Sequence, residues 1–417
     1  MSERRSASGT PRFATMAASP TNRHRTMPKN KRPVPRKSSQ PVLDDDERLA
    51  QTLADLALDL AEQAADEEQS GQAPDRAALS LKEDAFDKLL RNALRKKNDE
   101  LLYGAIERAH EADIAAWQLL RERIEEASAT VLLRREGAPT MEINAFAVPL
   151  FVTSGGGLKD EQTFNDQQAF AALSESFVAA GLESPRAKVV LISHAYDLGE
   201  FERLTYSMLN DMVREAGASM GGRKLVPTPA LERSMAGWEA GSFGPEDRAL
   251  ELRFLLGFAL KREDDAFYQV PREEAAADAY FEARMERFRA WTGSAAPLVA
   301  RCLAPVPDSV TVNFLYQDLP FGAREQALAE LATLEMLASM RAALETVAPE
   351  QTRVVIGPAE RGHEVVLRVN LHGPDGTILA SADRPFDVGA DLQAEVDDVR
   401  DALEPLGIAA FEVVRSL

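Results

Sequence analysis

The stretch "ALELRFLLGFAL", residues 249–260, limits the possible folds most, because Leu250, Leu252, Phe254, Leu256, Phe258 and Leu260 fall on every second position while Glu251 and Arg253 take the other face. Successive side chains of a strand point to opposite faces, so this period of two predicts a strand in an antiparallel, partly solvated sheet. Two other runs have a different texture. "EINAFAVPLFV" (142–152) and "AKVVLIS" (187–193) are apolar at consecutive positions. They predict short strands buried on both faces, the habit of parallel strands covered by helices, with Val189 to Ile192 central in their sheet. Helical patterns over about 166–180 and 199–214 follow them, which makes strand, helix, strand, helix. "KREDD" reads as a turn that returns the chain as "AFYQV", and Pro271 then opens a helix over about 273–290.

Flanking regions speak a different grammar. From Asp44 to about Arg134 the chain reads as all helix, opening with Asp44, Asp45, Asp46 and Glu47, which complement a helix dipole. Ser80 and Glu83 have capping-box spacing ahead of Phe86, Leu89, Leu90, Ala93 and Leu94, and two further helices divide near Ala112 and Asp113. Leu102, Ile106, Ile114, Trp117 and Ile124 are their expected core. The last third predicts a strand ("SVTVNFLYQ"), a long helix ("FGAREQALAELATLEMLASMRAALETV"), three strands, a helix over about 390–403 and a terminal strand, with a Pro-Asp-Gly turn at 374–376. Asp318-Leu319-Pro320-Phe321 and Asp383-Arg384-Pro385-Phe386 stand at the same offset as Ala329-Glu330-Leu331 and Ala394-Glu395-Val396, a weak internal duplication. The fold class expected is α+β: an N-terminal helical region followed by mixed parallel and antiparallel sheets. The divisions are a tail (1–43), a helical domain (44–138), an α/β domain with an antiparallel hairpin (139–305) and an α+β domain of ferredoxin-like grammar (306–417).

Charge separates the tail from the body. Of the formal −19 of the whole chain, residues 1–43 carry ten Lys/Arg against Glu3 alone, which leaves the remainder at −28. The tail is rich in Ser, Thr and Pro without hydrophobic period, the composition of a disordered segment that folding can do without. Clustered Lys/Arg attract phosphate, so the tail is the one part suited to nucleic acid, whereas the acidic body repels it. The longest apolar runs are far shorter than the roughly 20 residues of a membrane helix, so no membrane insertion is expected. Residues 1–43 also lack the apolar stretch of a secretory signal. A single cysteine, Cys302, permits no intrachain disulfide or multi-thiolate metal site and suits a reducing, cytoplasmic setting. In "APLVARCLAPV" it reads as a buried inert thiol.

Candidate ligand residues cluster where strands end. Open α/β sheets place ligands beyond the carboxyl ends of their strands, and there stand Thr153, Ser154 and the glycines Gly155, Gly156 and Gly157, then Ser193, His194, Tyr196 and Asp197. The glycine loop lacks the Lys-Ser/Thr of a Walker loop and does not run at once into a helix, so phosphate binding is disfavoured. A second glycine loop, "GASMGGRKLVPTP", offers Arg223 and Lys224 to an anion. His194 and Asp197 have the types needed for proton transfer, but no G-x-S-x-G elbow exists, and a Ser154 nucleophile with His194 as base requires neighbouring strands. No His, Cys and carboxylate spacing forms a metal site, His110 reads as structural, and no cofactor is implied.

The segment "LLRNALRKKNDELLYGAIERAHEADIAAWQLLRERIEE", then "NAFAVPLFV", a glycine loop and "LRFLLGFAL", is similar to a family of bacterial, mostly proteobacterial, proteins whose domain has no assigned function. The resemblance covers about residues 44–415 and brings no functional residues. It implies a role outside the familiar enzyme classes. Because each familiar catalytic motif fails on spacing, the expectation is a non-catalytic binding or regulatory protein that recognises a protein partner or small ligand, with the helical domain as docking surface. The alternative is a hydrolase or transferase working around Ser154, His194 and Asp197.

Overall fold

The computed structural model describes residues 44–70, 76–134, 136–154, 164, 166–220, 250–303, 310–362, 364–386, 391–408 and 410–417. Four helices come first: α1 (Asp45–Ser70), α2 (Arg76–Lys96), α3 (Asp99–Ala112) and α4 (Ile114–Ala129). Asp44 and Glu47 cap the start of α1 reciprocally, each backbone N–H donating to the other's carboxylate. Asp113 ends α3 and caps α4, its Oδ1 accepting the Ala116 N–H at 2.9 Å, which is the expected break. Two expectations fail here. The helix α2 is already under way at Arg76, so Ser80 and Glu83 lie inside it, where Ala77, Ala78 and Leu79 carry the helix past the supposed cap. The helical stretch also stops at Ala129, and Thr130–Leu133 form a strand, β1.

The first sheet contains β1, β2 (Met141–Ser154), β3 (Lys188–Asp197), β4 (Leu250–Arg262) and β5 (Val310–Phe314), in the order β1-β2-β4-β3 with β5 also on β2. Every pairing in it is antiparallel. The parallel pairing expected of β2 and β3 does not occur, because β4 lies between them and opposes both; they run in the same direction without touching. Their consecutive apolar residues have another cause, which is that helices cover both faces. Nor is β3 central, since it ends the strand order, although Val189 to Ile192 are all buried.

On one face, Ile143, Ala145, Ala147, Phe151, Leu252, Phe254, Leu256, Phe258 and Leu260 pack against α1–α4, α6 (Leu198–Glu202) and α7 (Tyr206–Met220) in the first core. On the other, Phe146, Val148, Leu150, Val152, Leu255 and Ala259 meet α5 (Gln167–Ala179) and α8 (Glu274–Leu303) in the second. The alternation that marked β4 thus points its long apolar residues at the helical layer, but the face opposite them is not partly solvated as expected: Leu252–Leu260 are buried on both sides and Arg253 with them, because α5 and α8 cover that face. Asp99 ties that layer to α7, accepting from the Thr205 hydroxyl at 2.8 Å and the Ser207 N–H at 2.9 Å. The expected hairpin strand "AFYQV" is instead a 3-10 turn at Ala266–Tyr268, because Asp265 accepts the Phe267 N–H and caps a tight turn there. The helix after it outruns its predicted end, passing through Pro297 to Leu303 and burying Cys302.

The second sheet has the order β8-β7-β6-β9. Its strands β6 (Arg353–Arg361), β7 (Glu364–His372) and β8 (Ile378–Pro385) are antiparallel neighbours, and β9 (Phe411–Val413) joins β6 in parallel. The third core lies between this sheet, α10 (Leu392–Leu403) and the second half of α9 (Pro320–Leu344). The fold is therefore α+β, with an N-terminal helical region and mixed pairing. Asp44–Leu417 forms one compact unit. The suspected repeat matches in one of its two pairs: Ala329–Leu331 and Ala394–Val396 both lie in helices, α9 and α10, whereas Asp318–Phe321 leads into α9 and Asp383–Pro385 closes β8.

Candidate functional site

The rim forms only in part. A register shift between Leu191 and Ala195 interrupts the pairing of β3 with β4 and carries His194. Its Nε2 lies 3.2 Å from both carboxylate oxygens of Glu200, a residue only 3% exposed. Asp197 turns elsewhere. It caps α6 in a reciprocal box with Glu200 (2.7 and 2.9 Å) and faces Arg253 at 3.5 Å. Arg253 is 2% exposed and also pairs with Glu251 at 2.5 Å. The expected His194–Asp197 pair is thus His194–Glu200, and the Asp-x-x-Glu spacing at a helix start is the signal in the sequence that pointed to it.

Ser154 stands apart from this group. Asp197 and Leu150 both pair with Arg253, so Ser154 lies two strands away and four residues further along. At ~4.8 Å between strands and ~3.3 Å per residue, about 16 Å separates its Cα from that of Asp197. That span is too long for a Ser-His-Asp array. Ser154 and Asp197 do share one end of the sheet. The last turn of α7 lies at the opposite end, where a Cβ at Gly217 would meet Ile143 and Leu133 side chains at 3.1 and 3.4 Å. Gly155, Gly156, Gly157, Arg223 and Lys224 lie outside the described residues.

Sequence reasoning missed a cleft elsewhere in the molecule. A cleft of about 760 Å³ opens between α4, the start of β2, the end of β4 and the beginning of α9. Gln118, Arg121, Glu122 and Glu125 recur at three and four on α4 and so share a face. Glu142 and Asn144 come from β2, Lys261 from β4, and Asp318, Gly322 and Glu325 from the start of α9. Six carboxylates (Glu122, Glu125, Glu126, Glu142, Asp318, Glu325) face two cations, Arg121 and Lys261. Both cations are engaged already. Arg121 pairs with Glu325 and lies 4.5 Å over the Trp117 ring, while Lys261 sits 3.1 Å from Glu142 and 4.3 Å over the Tyr268 ring. On the floor, Asn144 Oδ1 has no hydrogen-bond partner among the described residues.

The inner wall is held by backbone. Asp318 bridges Ala147 of β2 through both main-chain groups, at 2.8 and 3.0 Å, and its carboxylate accepts the Leu319 N–H at 2.7 Å. Glu125 Oε1 accepts the Phe321 and Gly322 N–H groups at 2.8 and 2.9 Å, so a side chain of α4 caps α9. Burial pushes the Glu125 carboxyl above its ordinary range and the nearby Asp318 adds to that, against the pull of the two amides and Arg121. Partial desolvation on the cleft wall raises Asp318 too, opposed by the Leu319 amide, while its side chain stays open to solvent. No protein-family model, curated protein or solved structure matches the chain. Among the described residues there is no group of three or more His, Cys, Asp or Glu placed to hold a metal ion, and no helix long and apolar enough to cross a membrane.

Proposed function

We propose that this chain is a binding protein without catalytic chemistry, and that it takes a cationic ligand in the cleft between α4, the first sheet and α9. The observation that carries this reading is the wall chemistry: six carboxylates against two cations that are already paired, in a space of about 760 Å³. Clefts of ~300–1,000 Å³ are the size that encloses small ligands. A partly buried carboxylate such as Glu125 gains most from a positive group, because lower dielectric strengthens the attraction. The helical region supplies the outer wall, which agrees with a docking role for it. The ligand class that fits is an extended amine or a Lys/Arg side chain presented by a partner.

Titration calorimetry with spermidine tests the reading. The wild type should bind saturably, and the double variant Glu122→Lys/Glu126→Lys, altered at two exposed positions of α4, should bind at least ~10-fold more weakly, a difference of ~1.4 kcal/mol. Equal affinity in both, or no saturable binding by the wild type, refutes it.

A further inference from the structure

Among the described residues, α9 is the helix with buried residues in both the first core (Phe321, Ala323, Ala327) and the third (Met336, Met340). Its first turn is held at two points, by the main-chain bridge of Asp318 to Ala147 and by Glu125 reaching across from α4. The Phe321 ring packs 4.5 Å from Tyr206 of α7 beside them. Its last turns pack under the second sheet. We propose that α9 is a lever and Glu125 its latch: whatever engages Glu125 in the cleft re-aims the helix and moves the second sheet relative to the first.

The length of α9 converts a small tilt into a measurable displacement. A helix of 25 residues is about 37 Å long at ~1.5 Å per residue, so a tilt of ~5° at its first turn displaces its far end by ~3 Å. Glu125 is the point of leverage because it is a cleft wall and a helix cap at once: a group that withdraws its carboxylate leaves the Phe321 and Gly322 amides without their acceptor. It acts through α9 and is in this sense a positioning residue. The lever depends on the proposed cleft ligand only for what would move it.

Spin labels at Glu107→Cys on α3 and Asp398→Cys on α10, both exposed positions, measure the distance between these two helices in the full chain, while the buried Cys302 stays unlabelled. Glu125→Gln keeps an acceptor oxygen and should give the wild-type distance. Glu125→Asp withdraws the acceptor by one methylene and should shift the distribution in the same direction as Glu125→Ala, by less; Glu125→Ala should shift or broaden it by ~3 Å. A folded Glu125→Ala protein with the wild-type distance overturns the lever and leaves Glu125 an ordinary helix cap, even if its melting temperature falls. Should the alanine variant not fold, an unshifted Glu125→Asp protein overturns it equally. No ligand is present in this measurement, so a failed spermidine titration and a failed lever are separate results.

Discussion

Gly257→Ala is the substitution for which the packing makes the sharpest demand. Gly257 lies in the middle of β4, paired with Phe146 of β2 on one side and Leu191 of β3 on the other. A Cβ built there would sit 2.5 Å from Phe146 Cζ, 2.9 Å from Phe146 Cε1 and 2.8 Å from Leu191 Cδ2. Those atoms have little room to retreat, since Phe146 packs on Phe177 (5.2 Å between rings) and Phe177 on Trp291 (4.6 Å) inside the second core. Overpacking of this kind costs ~1–3 kcal/mol, while removing a glycine from a strand returns ~0.5–1 kcal/mol of backbone entropy; with both neighbours held, the upper part of the overpacking range applies and a net loss of up to ~2.5 kcal/mol is expected. Equilibrium urea unfolding followed by tryptophan fluorescence reads this loss as a lower midpoint with unchanged slope. In the Phe146→Leu background the alanine should cost less, a coupling of ~1 kcal/mol in the double-mutant cycle. A Gly257→Ala protein as stable as the wild type, or a cycle without coupling, would refute the claim that the missing side chain makes room for the Phe146 ring.

Two further outcomes follow from the sites. Glu125 and Asp318 have carboxyls raised in the folded state, so each adds stability below the unfolded value near ~4 and loses it as pH rises through the folded value. Urea midpoints measured from pH 4 upward, as the difference between wild type and Asp318→Asn, should show that decline; a flat difference contradicts it. His194→Ala takes the imidazole from the buried Glu200 carboxyl, which keeps the Asp197 N–H, and should lower stability by ~1–2 kcal/mol in the same unfolding assay, without changing spermidine affinity. An undiminished midpoint would show that Glu200 does not need the imidazole.

What was legible in the sequence is local. The period of two in residues 250–260, the helix break at Asp113 and the Pro-Asp-Gly turn were readable, because each depends on neighbours in the chain. The failures share a cause. Consecutive apolar residues in β2 and β3 report cover on both faces, which helices provide around an antiparallel sheet as well as a parallel one, so they cannot name the partner strand. At the polar rim His194 meets Glu200 rather than Asp197, because Asp197 is spent on the capping box it shares with Glu200, and Ser154 lies off on its own strand. The cleft was illegible for a plainer reason. Glu125 and Asp318 are distant in sequence, and the acids of α4 look like any solvated helix face until α9 arrives beside them.

The outer edge of β2 holds a consequence for how this chain reaches its fold. That edge is filled in series by three pieces: β1 against Met141–Asn144, Asp318 at Ala147, and β5 against Leu150–Ser154. Two of the three are encoded more than 150 residues after the strand they cover. On a ribosome, a long apolar strand therefore waits with open main-chain donors and acceptors until residues 310–318 have emerged, and at ~5–20 residues per second that interval is ~8–30 s. During it the nascent chain is at its most prone to pair with a neighbour, and a chain released before Asp318 never loses that liability.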